Sequence, residues 1–159
     1  MSDDLPHRGI LRAGLALLAL PSLVIAGWTL IAPHSFYDDF PGGGRHWVSA
    51  LPPYNQHLLR DFGAVNLTIA LVLLGAMLFL ERHLVQVALV AFILGTLPHL
   101  GYHLTTTGNY STGDNLASLG GFVVELVLAL ALLALTRELV KSSAAPPAAA
   151  PSPSRSSPS

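Results

Sequence analysis

Apolar residues in this chain gather into four runs, separated by polar stretches of very unequal length. A hydrocarbon core of about 30 Å takes roughly 20 residues of helix at about 1.5 Å per residue. Residues 13–32, 63–80, 84–104 and 118–135 meet that requirement. Each run is apolar all round instead of along one stripe, as lipid-facing helices are. Backbone groups in lipid must pair within their own segment, so helices are predicted and open strands are not. The fold class is therefore all-α, a polytopic membrane four-helix bundle. Pro21 and Pro98 fall inside runs, where membrane helices tolerate a kink.

The first run has a rival reading as a signal peptide, with Arg8 and Arg12 as its positive start and Val24-Ile25-Ala26 before a cleavage point. The apolar stretch continues through Trp28, Leu30 and Ile31, which favours a span. Basic residues set the orientation. Arg8, Arg12, Arg82, Arg137, Lys141 and Arg155 would share one side, and only Arg45 and Arg60 the other. That places residues 1–12, the Glu81-Arg82-His83 turn and residues 141–159 in the cytoplasm (N-in/C-in), with the 33–57 loop and Thr105–Asn115 outside. Tyr37, Tyr54, Tyr102, Tyr110 and Trp47 land on the outer side, as interfacial aromatics do. The alanine-, proline- and serine-rich segment 141–159 reads as a disordered tail. The spans show no internal repeat.

Composition agrees and narrows the class. Of 159 residues, 52% are hydrophobic and 11% charged, against about 25% charged in soluble domains. A net charge of -1 gives no basic field, so nucleic acid is set aside as a partner. The chain has no cysteine, which excludes disulfides, thiol catalysis and thiolate metal sites. Arginine outnumbers lysine and alanine, leucine and glycine are abundant, pointing to a bacterial cytoplasmic (inner) membrane.

Polar residues are distributed asymmetrically. The loop 33–57 is too long and too aromatic for a passive linker, carrying Phe36, Tyr37, Phe40, Trp47 and Tyr54. Gly42-Gly43-Gly44 lets it turn sharply and Pro41, Pro52 and Pro53 stiffen its arms, so a cap over the mouth of the bundle is expected, with simple interfacial anchoring as the alternative. The three glycines lack the lysine and hydroxyl residue of a phosphate loop. A helix starting near Asn55 puts His57 and Asp61 on one face, with Arg60 beside them as an anion anchor; the alternative is a polar helix start resting on phospholipid. Asn66 and Thr68 are expected to bridge neighbouring helices.

His99 and His103, four apart at the end of the third run, can offer two imidazoles to one divalent metal such as Zn²⁺. The competing reading is a pair of structural, backbone-bonded histidines. Glu125 lies in the fourth run among Val123, Val124, Leu126 and Val127. A charge near mid-membrane costs about 2.5–3.5 kcal/mol on insertion scales, so Glu125 should face the interior, be neutral or be paired. Depth arithmetic names His99 as its partner, with Gly120 and Gly121 allowing close helix approach; Thr96 or Asn66 is the structural alternative.

The run Pro53-Tyr54-Asn55-Gln56-His57-Leu58-Leu59-Arg60-Asp61-Phe62-Gly63-Ala64, with Pro98-His99 and His103 downstream, resembles small four-span bacterial membrane proteins, loosely DoxX-like in size and layout. The resemblance extends over about Leu11 to Val140 in layout and implies a fold, not an activity. The functional expectation comes from the polar residues. His57, Asp61, His99, His103 and Glu125 form an outward-facing pocket that binds, or by acid–base or metal-assisted chemistry transforms, a small or lipid-like molecule. Glu125, His99 and Asp61 are the catalytic candidates, His99 and His103 the metal ligands. His57, Arg60, Trp47, Tyr54 and Tyr102 line the ligand route. The second reading is a non-catalytic accessory subunit of a membrane complex or homo-oligomer. An ion pathway is disfavoured, because the cytoplasmic halves of the runs hold no ionisable residue.

Overall fold

The computed structural model describes residues 7–51 and 53–143, with side chains described as far as Thr136. Of the tail expected at 141–159, residues 141–143 are the last of a helix, and 144–159, like residues 1–6, lie outside the described residues. Four helices are long and apolar enough to cross a membrane. They are α1 (Arg8–Ile31), α3 (Gln56–Phe79), α4 (Arg82–Thr105) and α5 (Thr112–Ser143). A short helix α2 (Pro33–Asp39) and two paired strands, β1 (Pro41–Gly42) and β2 (Arg45–His46), fill the first long connection. A 3-10 turn at Thr107–Asn109 links α4 to α5.

Every long helix extends past its apolar run at the end nearest the hairpin or at the opposite end. α3 begins at Gln56 because the Asn55 side chain accepts from the Leu58 N–H at 3.1 Å, an N-cap. α5 begins at Thr112 behind Ser111, whose hydroxyl accepts from the Asp114 N–H at 3.1 Å. Between α3 and α4 only Leu80 and Glu81 intervene. Leu80 takes the left-handed conformation (φ 50°) that favours glycine. Its side chain is nevertheless retained in the core.

That core lies toward the Leu80–Glu81 turn. Leu11, Leu15 and Leu18 of α1 meet Leu73 and Ala76 of α3, Val85, Leu89 and Phe92 of α4, and Ala129, Leu132 and Leu133 of α5. The principal pairings are α1 on α3 and α4 on α5. At Gly63 the α1–α3 approach is so close that a β-carbon would collide with the Thr29 side chain. Gly120 and Gly121 do not play the expected role: a β-carbon at either would meet nothing within 4 Å. The interhelical roles expected of Asn66 and Thr68 are also corrected. Each bonds back to its own helix, Asn66 to the Phe62 carbonyl (2.9 Å) and Thr68 to the Ala64 carbonyl (2.9 Å), because a lone polar side chain can satisfy its hydrogen bond one turn back without a partner helix.

Candidate functional site at the hairpin end

The loop expected as a cap is an ordered aromatic structure. Pro41 pairs with His46 and Gly42 with Arg45, so Gly43 and Gly44 form the two-residue turn. Their φ angles of 66° and 75° are the positive pair that such a tight hairpin needs and glycine supplies. Beneath it, Phe36 packs on Phe40 (4.7 Å between ring centres), on Trp28 of α1 (5.7 Å) and on Phe62 of α3 (6.4 Å). Trp28 donates to the Ser35 hydroxyl at 3.2 Å, fixing α2 to the end of α1.

The far side of the cap is held by α5. Trp47 donates its indole N–H to Oδ1 of Asp114 at 2.8 Å, and Arg45 Nε approaches the same oxygen at 3.2 Å. The other oxygen, Oδ2, accepts from the Ser111 hydroxyl at 2.6 Å. Tyr110 donates to the Trp47 carbonyl at 2.9 Å. Sequence reasoning missed Asp114. The signal was legible: Ser111-Thr112-Gly113-Asp114 has the hydroxyl-x-x-carboxylate spacing that opens a helix.

Next to this frame lies the imidazole pair, with His103 half-buried and His99 on the exposed side. Nε2 of His103 lies 3.2 Å from Nε2 of His99, a hydrogen bond in which one ring donates and the other accepts. His103 Nδ1 faces the Ser118 hydroxyl at 3.5 Å. Aromatic rings wall the pair. Phe122 lies 4.8 Å from His99 and 5.2 Å from His103, Phe62 lies 6.1 Å from His99, and Tyr110 stacks on His103 at 6.2 Å. Tyr102 meets His103 edge-on at 6.0 Å.

The remaining candidates stand apart from it. His57 and Asp61 do share a face and pair at 3.4 Å, but their side chains are 88% and 60% exposed. Arg60 is exposed beside them. Tyr54 packs at a tilt against His34 (4.8 Å) and meets Tyr37 edge-on (5.5 Å), on the α2 side of the cap. Among the described residues no hydrogen bond or ion pair links His57, Asp61 or Arg60 to the imidazole pair.

Nor is the expected His99–Glu125 pair formed. Three contacts between α4 and α5 share one antiparallel register: Gln86 with Thr136 (3.2 Å), His99 with Phe122, and His103 with Ser118. That register sets Glu125 level with Thr96, about 4.5 Å along the axis from His99. Phe122 occupies the place opposite the imidazole. The structural alternatives are not realised either, because the Thr96 hydroxyl donates to the Phe92 carbonyl at 2.9 Å and Asn66 bonds its own helix. Glu125 is half-buried and has no hydrogen-bond or ion-pair partner among the described residues.

No protein-family model, curated protein or solved structure matches this chain. The metal expectation also meets a geometric limit. No group of three or more His, Cys, Asp or Glu side chains able to hold a metal ion occurs among the described residues. The imidazole pair supplies two ligands, one fewer than a catalytic zinc site draws from its protein. What the arrangement can support is acid–base chemistry through two hydrogen-bonded imidazoles.

Proposed function

We propose that this chain is a multi-pass membrane protein, a four-helix bundle with both termini in the cytoplasm. The hairpin end is then an outward-facing crevice that binds a small or lipid-like molecule and exchanges protons with it. The observation that carries this reading is the His99–His103 contact of 3.2 Å, flanked by Phe62, Phe122 and Tyr110 and open on the His99 side. Two histidines serving only as interfacial anchors would turn to water or phosphate. Here each ring spends a nitrogen on the other, and the Ser118 hydroxyl faces the outer ring, so a change of tautomer in one imidazole is felt by the second.

Roles follow from position. His99 and His103 are the proton-exchanging groups, Ser118 orients His103, and Glu125 is the deep carboxyl. Trp47 and Tyr110 hold the cap beside them. His57, Asp61, Arg60 and Tyr54 belong to the approach from solvent, not to the reacting centre.

Native mass spectrometry of the detergent-solubilised full chain tests the reading. The expected result is a co-purifying small molecule or lipid, retained by the native protein and lost in a His99→Ala, His103→Ala variant that still folds by circular dichroism. Identical adduct spectra for the two proteins would overturn it, and a stoichiometric protein partner would favour an accessory subunit.

A further inference from the structure

Glu125 poses a problem that none of the described residues solves. It lies midway along the apolar stretch Thr112–Thr136, about 20 Å along the axis from Thr112. A carboxyl group at such a depth is expensive unless something compensates it. Among the described residues, the nearby candidates are committed elsewhere. Thr96 and Asn66 bond their own helices, and His99 bonds His103. Arg45 is drawn to Asp114 at the surface, and Arg60 is exposed at the start of α3. No lysine or arginine lies between Ser118 and Leu135 or between Leu84 and Leu104.

The surroundings describe what would fit. Phe122, three residues before Glu125, shares its helix face and turns toward the histidines. Gly121, four residues before, shares the face on the other flank, and there a β-carbon would meet nothing within 4 Å. Gly95 of α4, beside Thr96 at the same level, is open in the same way. Glu125 therefore stands at the border between an aromatic wall and an open, small-residue flank, with Val124 and Val127 exposed next to it. Aromatic faces attract cations, a carboxylate only accepts hydrogen bonds, and an ammonium only donates them.

We infer that Glu125 is the binding group for a membrane-soluble amine, which enters along the Gly95–Gly121 flank and sets its ammonium between the Glu125 carboxylate and the Phe122 ring. Whether the proton arrives on the amine or on the carboxyl, the pair holds one proton between nitrogen and oxygen and has no net charge. The depth excludes a lipid headgroup and selects a free amine with an apolar body. The inference rests on the crevice proposed above and names its ligand class.

The test uses the full chain in phosphatidylcholine nanodiscs, titrated with N,N-dimethyloctylamine, 1-octanol and octanoate, and read by calorimetry against empty discs. Saturable binding of the amine at one per chain is expected, at least tenfold tighter than the alcohol. Glu125→Gln should weaken it tenfold or more, and Glu125→Asp, which keeps the charge, should retain most of it. Amine uptake equal in native protein and Glu125→Gln would overturn the inference. Saturable binding of octanol or octanoate that equals the amine and is lost in the His99→Ala, His103→Ala variant would overturn the amine while leaving the crevice intact.

Discussion

The indole of Trp47 and the carboxylate of Asp114 meet at 2.8 Å across 67 positions of sequence, and this contact joins the hairpin to the first turn of α5. It closes a frame in which Arg45, Ser111 and Tyr110 also take part. Asp114→Ala should release β2 from α5 without disturbing the helices. In a Trp28→Phe background, Trp47 emission is expected to shift to the red and proteolysis between residues 43 and 50 to accelerate. Unchanged emission would mean that the aromatic stack under the hairpin holds the cap alone.

Tyr110 gives the frame a pH signature. Burial first, and Tyr102 second, hold its phenol above the ordinary tyrosine value. A folded-state value above the unfolded one means that the neutral phenol, donating to the Trp47 carbonyl, stabilises the fold in full below about pH 10. The contribution is lost as pH rises through the higher folded value. Alkaline titration followed by phenolate absorbance should show one late-titrating tyrosine that disappears in Tyr110→Phe.

Gly63 tests the α1–α3 seam. Alanine there forces its β-carbon into Thr29, which is 0% exposed, and overpacking of this kind costs about 1–3 kcal/mol. Gly75→Ala, where nothing lies within 4 Å, should stay within about 0.5 kcal/mol of the native protein. Unfolding in detergent measures both, and Thr29→Ala should recover part of the Gly63→Ala loss, as expected of coupled neighbours.

The imidazole pair predicts a spectroscopic coupling. Ser118→Ala removes the hydroxyl facing His103 Nδ1, so the tautomer balance of His103 should change and, through the Nε2 contact, that of His99 as well. Nitrogen NMR of labelled histidines reads both rings. A shift confined to His103 would show that the two imidazoles act separately.

The chain has no native cysteine, so single reporters can test the proposed orientation. Ala50→Cys and Asn109→Cys, both exposed at the hairpin end, should react with an impermeant maleimide on intact cells. His83→Cys, exposed near the Leu80–Glu81 turn, should react only after permeabilisation. The reverse pattern would invert the molecule and move the crevice to the cytoplasm.

The sequence alone determined the four long helices, the start of α3 at Asn55 and the histidine pairs four residues apart, because each depends only on local apolar length, capping and helical periodicity. The sharp turn at Gly43-Gly44 was equally local. What joins distant segments was decided by tertiary structure. Asp114 became the anchor of the cap, Phe122 took the place expected for Glu125 beside His99, and Gly63 rather than Gly120 and Gly121 marked the close helix contact. Depth along one helix says how far a residue lies from an end, but not which way it faces across a neighbour. Only the α4–α5 register, fixed by Gln86 on Thr136 and Ser118 on His103, sets Glu125 level with Thr96 and leaves it without a partner among the described residues.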